Sequence, residues 1–201
     1  VYEYMGVRWS AELGMQDYHS LESRGVDLWN QGEGGQRWDV FRLGNESHST
    51  LTVNGKHHKV KSFVPLMEAW KEKGRKGARL DMTSAFAEDV DSLTREIWLD
   101  RKDRLHVRDI IRTGDRKADI MWVMTTTADA HISPDGSILL EKDGKRMKLE
   151  AAGKGMEPHV WPNDPQRDYD APNPGTCRAG FTMTVPAASE TVMEVSLVPV
   201  R

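Results

Sequence analysis

The chain has 201 residues, 38% hydrophobic and 29% charged, enough for one well-packed domain and tight for two. Lys and Arg number 28 against 31 Asp and Glu, and the formal charge of -3 excludes the basic footprint of a nucleic-acid-binding surface. No apolar run approaches the roughly 20 residues of a transmembrane helix, and the single Cys177 excludes an internal disulfide and a thiolate zinc cage.

The chain opens on Val1-Tyr2-Glu3-Tyr4, apolar and polar by turns like the middle of a strand. Without an initiating Met it reads as a piece of a longer protein, any secretory signal lying upstream. Short runs rich in Val, Ile, Thr and Trp then alternate with turn formers, as in an all-β sandwich or barrel. Residues 33–35 form a Gly-rich turn. Leu51-Thr52-Val53, Asn54-Gly55 and the run 56–63 predict a hairpin, because Asn-Gly supplies the two positive φ angles of a tight turn. A helical turn is expected over 66–73 and a loop over 73–77. Strands follow at 94–99, 105–112 and 120–126. Asp135-Gly136 and Asp143-Gly144 punctuate a meander from His131 to Ala151. The proline-rich stretch 163–175 reads as a loop, and strands at 178–185 and 191–198 close the chain. In the last, Met193, Val195 and Leu197 share a face that points at a second sheet, while Val192, Glu194, Ser196 and Val198 share the other. The expectation is one all-β domain over residues 1–201, an antiparallel two-sheet β-sandwich.

The first third concentrates Trp9, Glu12, Tyr18, His19, Trp29, Arg37, Trp38, Arg42 and His48. Rings that stack on sugar faces, beside guanidiniums that take carboxylates, are the palette of a carbohydrate site. The rings of Trp9, Trp29 and Trp38 equally suit a sandwich core, the expectation for each taken singly. Trp38 alternates with Arg37 along an expected strand and so points inward. His48 lies just before a strand, either as a hydrogen-bonded rim residue or as a metal ligand. His57 and His58 are strand neighbours facing opposite sides and read as a solvated edge. Arg101-Lys102-Asp103-Arg104 reads as a solvated turn. There is no Gly-rich phosphate loop, Gly-x-Ser-x-Gly elbow or His-Glu-x-x-His helix.

Several ordered segments carry a resemblance. These are Gly6-Val7-Arg8-Trp9-Ser10-Ala11-Glu12-Leu13-Gly14-Met15-Gln16-Asp17-Tyr18, Gln36-Arg37-Trp38-Asp39-Val40-Phe41-Arg42 and Ser47-His48-Ser49-Thr50-Leu51-Thr52-Val53-Asn54-Gly55. Arg108-Asp109 with Gly114-Asp115, Trp122-Val123-Met124-Thr125-Thr126 and Asp168-Tyr169-Asp170-Ala171-Pro172-Asn173-Pro174-Gly175-Thr176 follow. Together they resemble the C-terminal half of heparinase II/III-like polysaccharide lyases over nearly the whole chain.

The resemblance implies an α/α toroid upstream, an antiparallel β-sandwich here, a polysaccharide cleft between them, and a periplasmic or secreted location. It implies β-elimination at a uronic acid: a base takes the C5 proton, donors neutralise the neighbouring carboxylate, and an acid protonates the departing oxygen. It also implies zinc in the parent chain, held by an upstream His-x-His histidine, an acidic residue and a histidine before a strand. The last two positions fall on Glu12, where relatives commonly carry Asp, and His48. Two ligands do not close a zinc site, so the metal is expected to be weak or absent in this piece. Tyr18 and His19 are candidate catalytic groups facing the cleft. Arg37 and Arg42 are candidate substrate-binding residues for uronate or sulfate. The alternatives are a Glu12 salt bridge to Arg8 or Arg37, and surface ion pairing of the two arginines. The implied partners are an acidic polysaccharide and the upstream helical domain, with no nucleic acid and no membrane span. This piece is expected to be catalytically silent alone and to expose an apolar face where the helical part docks. The rival reading is a non-catalytic carbohydrate-binding or structural sandwich.

Overall fold

Positive-φ dipeptides set the strand register. Lys73-Gly74 (φ 49° and 76°) and Asp143-Gly144 (φ 51° and 69°) each reverse the chain in two residues, the turn whose twist matches that of paired strands. In the computed structural model, which describes residues 1–200, the strands are β1 (Tyr2–Tyr4), β2 (Val7–Ser10), β3 (Leu51–Val53), β4 (Leu66–Glu72), β5 (Arg75–Asp81), β6 (Ser92–Leu99), β7 (Leu105–Arg112), β8 (Ala118–Thr126), β9 (Asp129–Ile132), β10 (Ile138–Lys142), β11 (Lys145–Ala152), β12 (Glu157–Pro162), β13 (Cys177–Val185) and β14 (Glu190–Val200). One short helix, α1 (Tyr18–Glu22), and 3-10 turns at Gln36–Asp39, Asn45–Ser47 and Thr83–Ala85 complete the described elements.

The strands form an eight-stranded sheet of order β4-β5-β6-β7-β14-β11-β10-β9, a four-stranded sheet of order β12-β13-β8-β3, and a β1-β2 ribbon, with antiparallel pairing throughout. Period-2 alternation sends Leu93, Ile111, Met193, Val195, Leu197 and Leu149 of the large sheet against Leu51, Ile120, Trp122, Phe181 and Val185 of the small one, all in one buried cluster. This is the expected β-sandwich, and Met193, Val195 and Leu197 are fully buried in it. Arg95 and Asp109 cross β6 and β7 as a buried two-point pair, Nε to Oδ1 at 2.6 Å and Nη2 to Oδ2 at 2.8 Å. On the opposite face Arg79, Glu96, Arg108 and Glu194 form an alternating ladder over four strands.

Four local expectations are corrected. Residues 66–73 are strand β4 and its turn, not a helical turn. Their Leu, Met, Glu, Ala and Lys favour helix intrinsically, but pairing with β5 overrides that weak preference. The Asn54-Gly55 turn exists (φ 53° and 67°), yet β3 pairs with β8, and only a single Val53–Lys56 bridge remains of the hairpin. Asn54 explains the difference: its backbone N–H donates to the Asp119 carbonyl and its side chain accepts from the Asp119 N–H, tying the turn to β8. Arg37 and Trp38 lie in a 3-10 turn, so they do not alternate across a strand. Of the three expected core tryptophans Trp9 is fully buried, Trp38 half-buried, and Trp29 60% exposed.

A second, smaller cluster of Leu21, Val26, Leu28 and Val40 packs with Tyr18, Leu43 and Tyr169. It anchors the irregular segment between β2 and β3, which carries most of the chemistry.

Candidate functional site

A polar seam joins the end of β2 to the approach to β3. The Ala11 N–H donates to the Thr125 carbonyl at 2.8 Å, the Thr125 hydroxyl to the Ser47 carbonyl at 2.5 Å, and the Val123 N–H to the Thr50 carbonyl at 3.1 Å. Ser10 and Ser49 hydroxyls meet at 3.3 Å. Both segments are thereby pinned to the end of β8, which brings the following Glu12 against the preceding His48. Glu12 Oε2 lies 2.5 Å from His48 Nδ1, with both side chains about two-fifths exposed. No ion pair joins Glu12 to Arg8 or Arg37; Arg8 pairs with Glu3.

His48 stands on the wall of a cleft of about 390 Å³ that also takes in Trp38, Leu43, Asn45, His57 and His58. The strand-edge reading of His57 and His58 is replaced by this arrangement, because the chain leaves the expected strand after Lys56. His57 holds Asn45 Oδ1 at 3.3 Å and lies 3.5 Å from Asp39. Burial pushes the His58 imidazole below its ordinary pKa, against a hydrogen bond with the Leu51 carbonyl at 2.8 Å that raises it. Facing a carbonyl, His58 Nε2 must donate, which leaves Nδ1 unprotonated in the neutral ring. Gly44 permits the tight cleft wall: a Cβ there would sit 2.9 Å from the Trp38 carbonyl and 3.5 Å from the His57 ring.

Beside the cleft, Arg37 lies between two rings, its Cζ 5.7 Å from the Tyr18 centroid and 5.6 Å from that of Trp38. Its Nη1 donates to the Leu28 carbonyl at 3.3 Å and its Nη2 to the Tyr18 hydroxyl at 3.4 Å. Tyr18 starts α1, whose first turn Asp17 caps by accepting from the Ser20 N–H at 2.8 Å. Exposed Trp29 meets Tyr18 edge-on at 5.6 Å and donates to Glu22 at 2.7 Å. His19 is exposed on α1.

Arg42 has a different neighbourhood. Its Nε donates to Asn173 Oδ1 at 2.8 Å, Nη1 to the Met15 carbonyl at 3.0 Å and Nη2 to the Pro172 carbonyl at 3.0 Å. Gln16 makes a parallel clamp, donating to the Tyr169 carbonyl at 2.6 Å and accepting from the Ala171 N–H at 3.0 Å. Asp170 accepts from the N–H groups of Phe41, Gln166 and Arg167 at 2.9, 3.2 and 2.9 Å. The loop 163–175 is therefore fastened onto the segment 16–42.

Sequence reasoning missed Arg178. Its guanidinium stacks 5.1 Å over Phe41 and donates to the carbonyls of Glu46 at 3.2 Å and Pro162 at 3.3 Å, and burial lowers its pKa. It fastens the Asn45–Ser47 turn, and so His48, to the small sheet. The available signal was an arginine in an otherwise apolar strand.

The structure thus gathers Glu12, His48, Trp38, Arg37 and Tyr18 on one side of the molecule, with Arg42 in the supporting loops. Among the described residues no group of three or more His, Cys, Asp or Glu side chains could hold a metal ion. Glu12 and His48 have the oxygen and nitrogen donors zinc prefers but are too few to close a site. No helix among the described residues is long and apolar enough to cross a membrane.

No model of a known protein family matches the chain, and no curated protein does. Solved structures match its fold. The heparan sulfate lyase HepC from Pedobacter heparinus superposes with a TM-score of 0.65 at 12% identity, over 96% of this chain and 29% of that one. The heparinase III product BT4657 gives 0.63 at 14% identity, over 95% and 27%. A further heparinase III structure gives 0.60 at 14% identity, over 82% and 25%. The chain therefore has the fold of part of these lyases and spans about a quarter of their length.

Proposed function

We propose that this chain is the β-sandwich part of a polysaccharide lyase that cleaves a uronic-acid-containing glycan by β-elimination. It forms one wall of the cleft, and the helical catalytic part belongs to the longer protein, which is periplasmic or secreted. The observation that carries this reading is the Glu12–His48 pair beside Trp38 and the stacked Arg37, on a fold shared with heparan sulfate lyases.

Arg37 is placed by two rings and two hydrogen bonds, and its remaining N–H groups suit a carboxylate or sulfate. In this reading it neutralises the uronate, which makes the neighbouring C5 proton easier to remove. The Tyr18 hydroxyl, next to Arg37 beside the cleft, is the first candidate to hold or move a proton, and the exposed His19 that follows it on α1 is the second. Trp38 offers its face to a sugar ring. Arg42 acts through the loops it clamps. Glu12 and His48 supply two zinc ligands, the others coming from elsewhere in the longer protein, and the ion would fix the two segments and add positive charge to the cleft.

The test is turnover by the complete protein on uronate polysaccharides, followed through the ultraviolet absorbance of the unsaturated product. Arg37→Ala and His48→Ala are each expected to reduce turnover by about 100-fold, the scale of losing a positioned electrostatic or acid–base group. Absence of an unsaturated product from any uronate polysaccharide would overturn the reading in favour of a non-catalytic carbohydrate-binding or structural sandwich.

A further inference from the structure

Two turns distant in sequence are locked together at the far end of β4 from the cleft. The β4–β5 turn carries Lys71, Lys73, Arg75 and Lys76; the β6–β7 turn carries Arg101, Lys102 and Arg104. The same two turns carry three carboxylates, Glu72, Asp100 and Asp103, and Glu150 of β11 faces Arg104, in a chain whose formal charge is -3. The Arg101 Nε donates to the Lys73 carbonyl at 2.7 Å, joining one turn to the other. Gly74 makes the approach possible, since a Cβ there would sit 2.6 Å from Arg101 Cγ. Arg75 is fixed over the Trp98 ring at 4.9 Å, and a groove of about 410 Å³ runs between the turns.

Some of this charge is neutralised locally. Arg104 pairs with Asp100 at 2.5 Å, and Lys76 lies 3.8 Å from Asp103. Lys71, Lys73 and Lys102 are exposed, with no carboxylate at ion-pair distance among the described residues. Holding them together raises their mutual repulsion, which a bound anion relieves.

The groove is open and its free cations are the flexible Lys71 and Lys73, with Lys102 on the adjoining β6–β7 turn, which suits an extended polyanion better than a compact anion needing an enclosed cradle. Trp98, beneath Arg75, is buried and offers no stacking platform for unpaired bases. We infer that the paired β4–β5 and β6–β7 turns are a second binding site for an acidic polysaccharide, separate from the His48 cleft. Its ligand class rests on the proposed function.

The experiment measures binding of a size-defined heparin oligosaccharide to this chain across a salt series. It compares the wild type, Lys71→Gln/Lys73→Gln/Lys102→Gln and Lys154→Gln, with unchanged thermal midpoints confirming folding. The triple variant is expected to lose about tenfold in affinity, and its log affinity to fall less steeply with log salt by about 2, as three contacts to a counterion-condensed polymer disappear. Lys154→Gln, which removes an exposed charge between β11 and β12 that belongs to neither site, should keep the wild-type salt slope. Equal binding by triple variant and wild type, or no binding by the wild type, overturns the second site. Single-stranded DNA of equal charge binding as tightly overturns the assignment to polysaccharide. Turnover by the complete protein separates the two readings: product formation with no loss in the triple variant removes the second site alone. Salt-sensitive binding lost in that variant, with no product, removes the proposed function alone.

Discussion

Glu12 and His48 lie 36 positions apart in the chain, yet Oε2 of one is 2.5 Å from Nδ1 of the other. Neither reaches this position through regular secondary structure. Glu12 follows β2 and His48 ends a 3-10 turn, and both are placed by the polar seam onto β8.

Two donors make a weak metal site. Titration of the isolated chain with zinc is expected to give binding far below the about 10–16 kcal/mol of closed structural sites. Glu12→Ala and His48→Ala should each remove what binding there is. A tight stoichiometric zinc site surviving His48→Ala would contradict this.

The buried Arg95–Asp109 pair predicts an asymmetric mutational cost. Asp109→Ala strands a guanidinium between the sheets and should destabilise by about 3–5 kcal/mol in denaturant unfolding. Replacing both residues with Met and Leu should recover much of the loss. A single substitution costing under about 1 kcal/mol would show that the guanidinium finds water instead.

Tyr2 is predicted to limit alkaline stability. Burial, aided by neighbouring Tyr4, raises its phenol from 10.0 to about 12, while its hydroxyl donates to the Asp103 carbonyl. The fold therefore favours the neutral phenol. That contribution is complete below pH 10 and lost as pH rises toward about 12. Thermal midpoints against pH should fall less steeply in this window for Tyr2→Phe than for the wild type; parallel curves would refute the assignment.

Asp170 should govern the loop clamp. Asp170→Ala leaves the N–H groups of Phe41, Gln166 and Arg167 without their acceptor, at a cost of about 3 kcal/mol. Hydrogen exchange at the Phe41 amide should accelerate accordingly, and unchanged protection would place the anchor elsewhere.

Phe63, Val64, Leu66 and Met67 are 76%, 36%, 60% and 57% exposed around the start of edge strand β4. The isolated chain is expected to self-associate through them as concentration rises, and Phe63→Ser/Leu66→Thr to reduce this. Light scattering showing a strict monomer at high concentration in both proteins would contradict it.

Strands β6, β7, β8, β13 and β14 and the β9–β11 meander were legible because alternation and Asp-Gly turns are local signals. Strand β4 was not: as an exposed edge it has no buried face to impose alternation, and helix-forming residues filled the gap. The loop clamp was illegible for a different reason, since Gln16 reaches Tyr169 across 153 positions and no local pattern encodes that. Trp29 misled because a large ring is read as core, whereas only its contacts with Tyr18 and Glu22 reveal a surface role. Glu12 and His48 were paired by family resemblance, and residue pattern alone left His48 open between rim and ligand.

The most direct measurement is of elimination by this chain in isolation and when joined to the helical part that the proposed function assigns to a longer protein, on the same uronate polysaccharide. The proposed function predicts unsaturated product only in the joined protein, with these strands shaping the cleft and the rest of the proton-transfer machinery lying outside them. Sustained product formation by the isolated chain would contradict that division of labour.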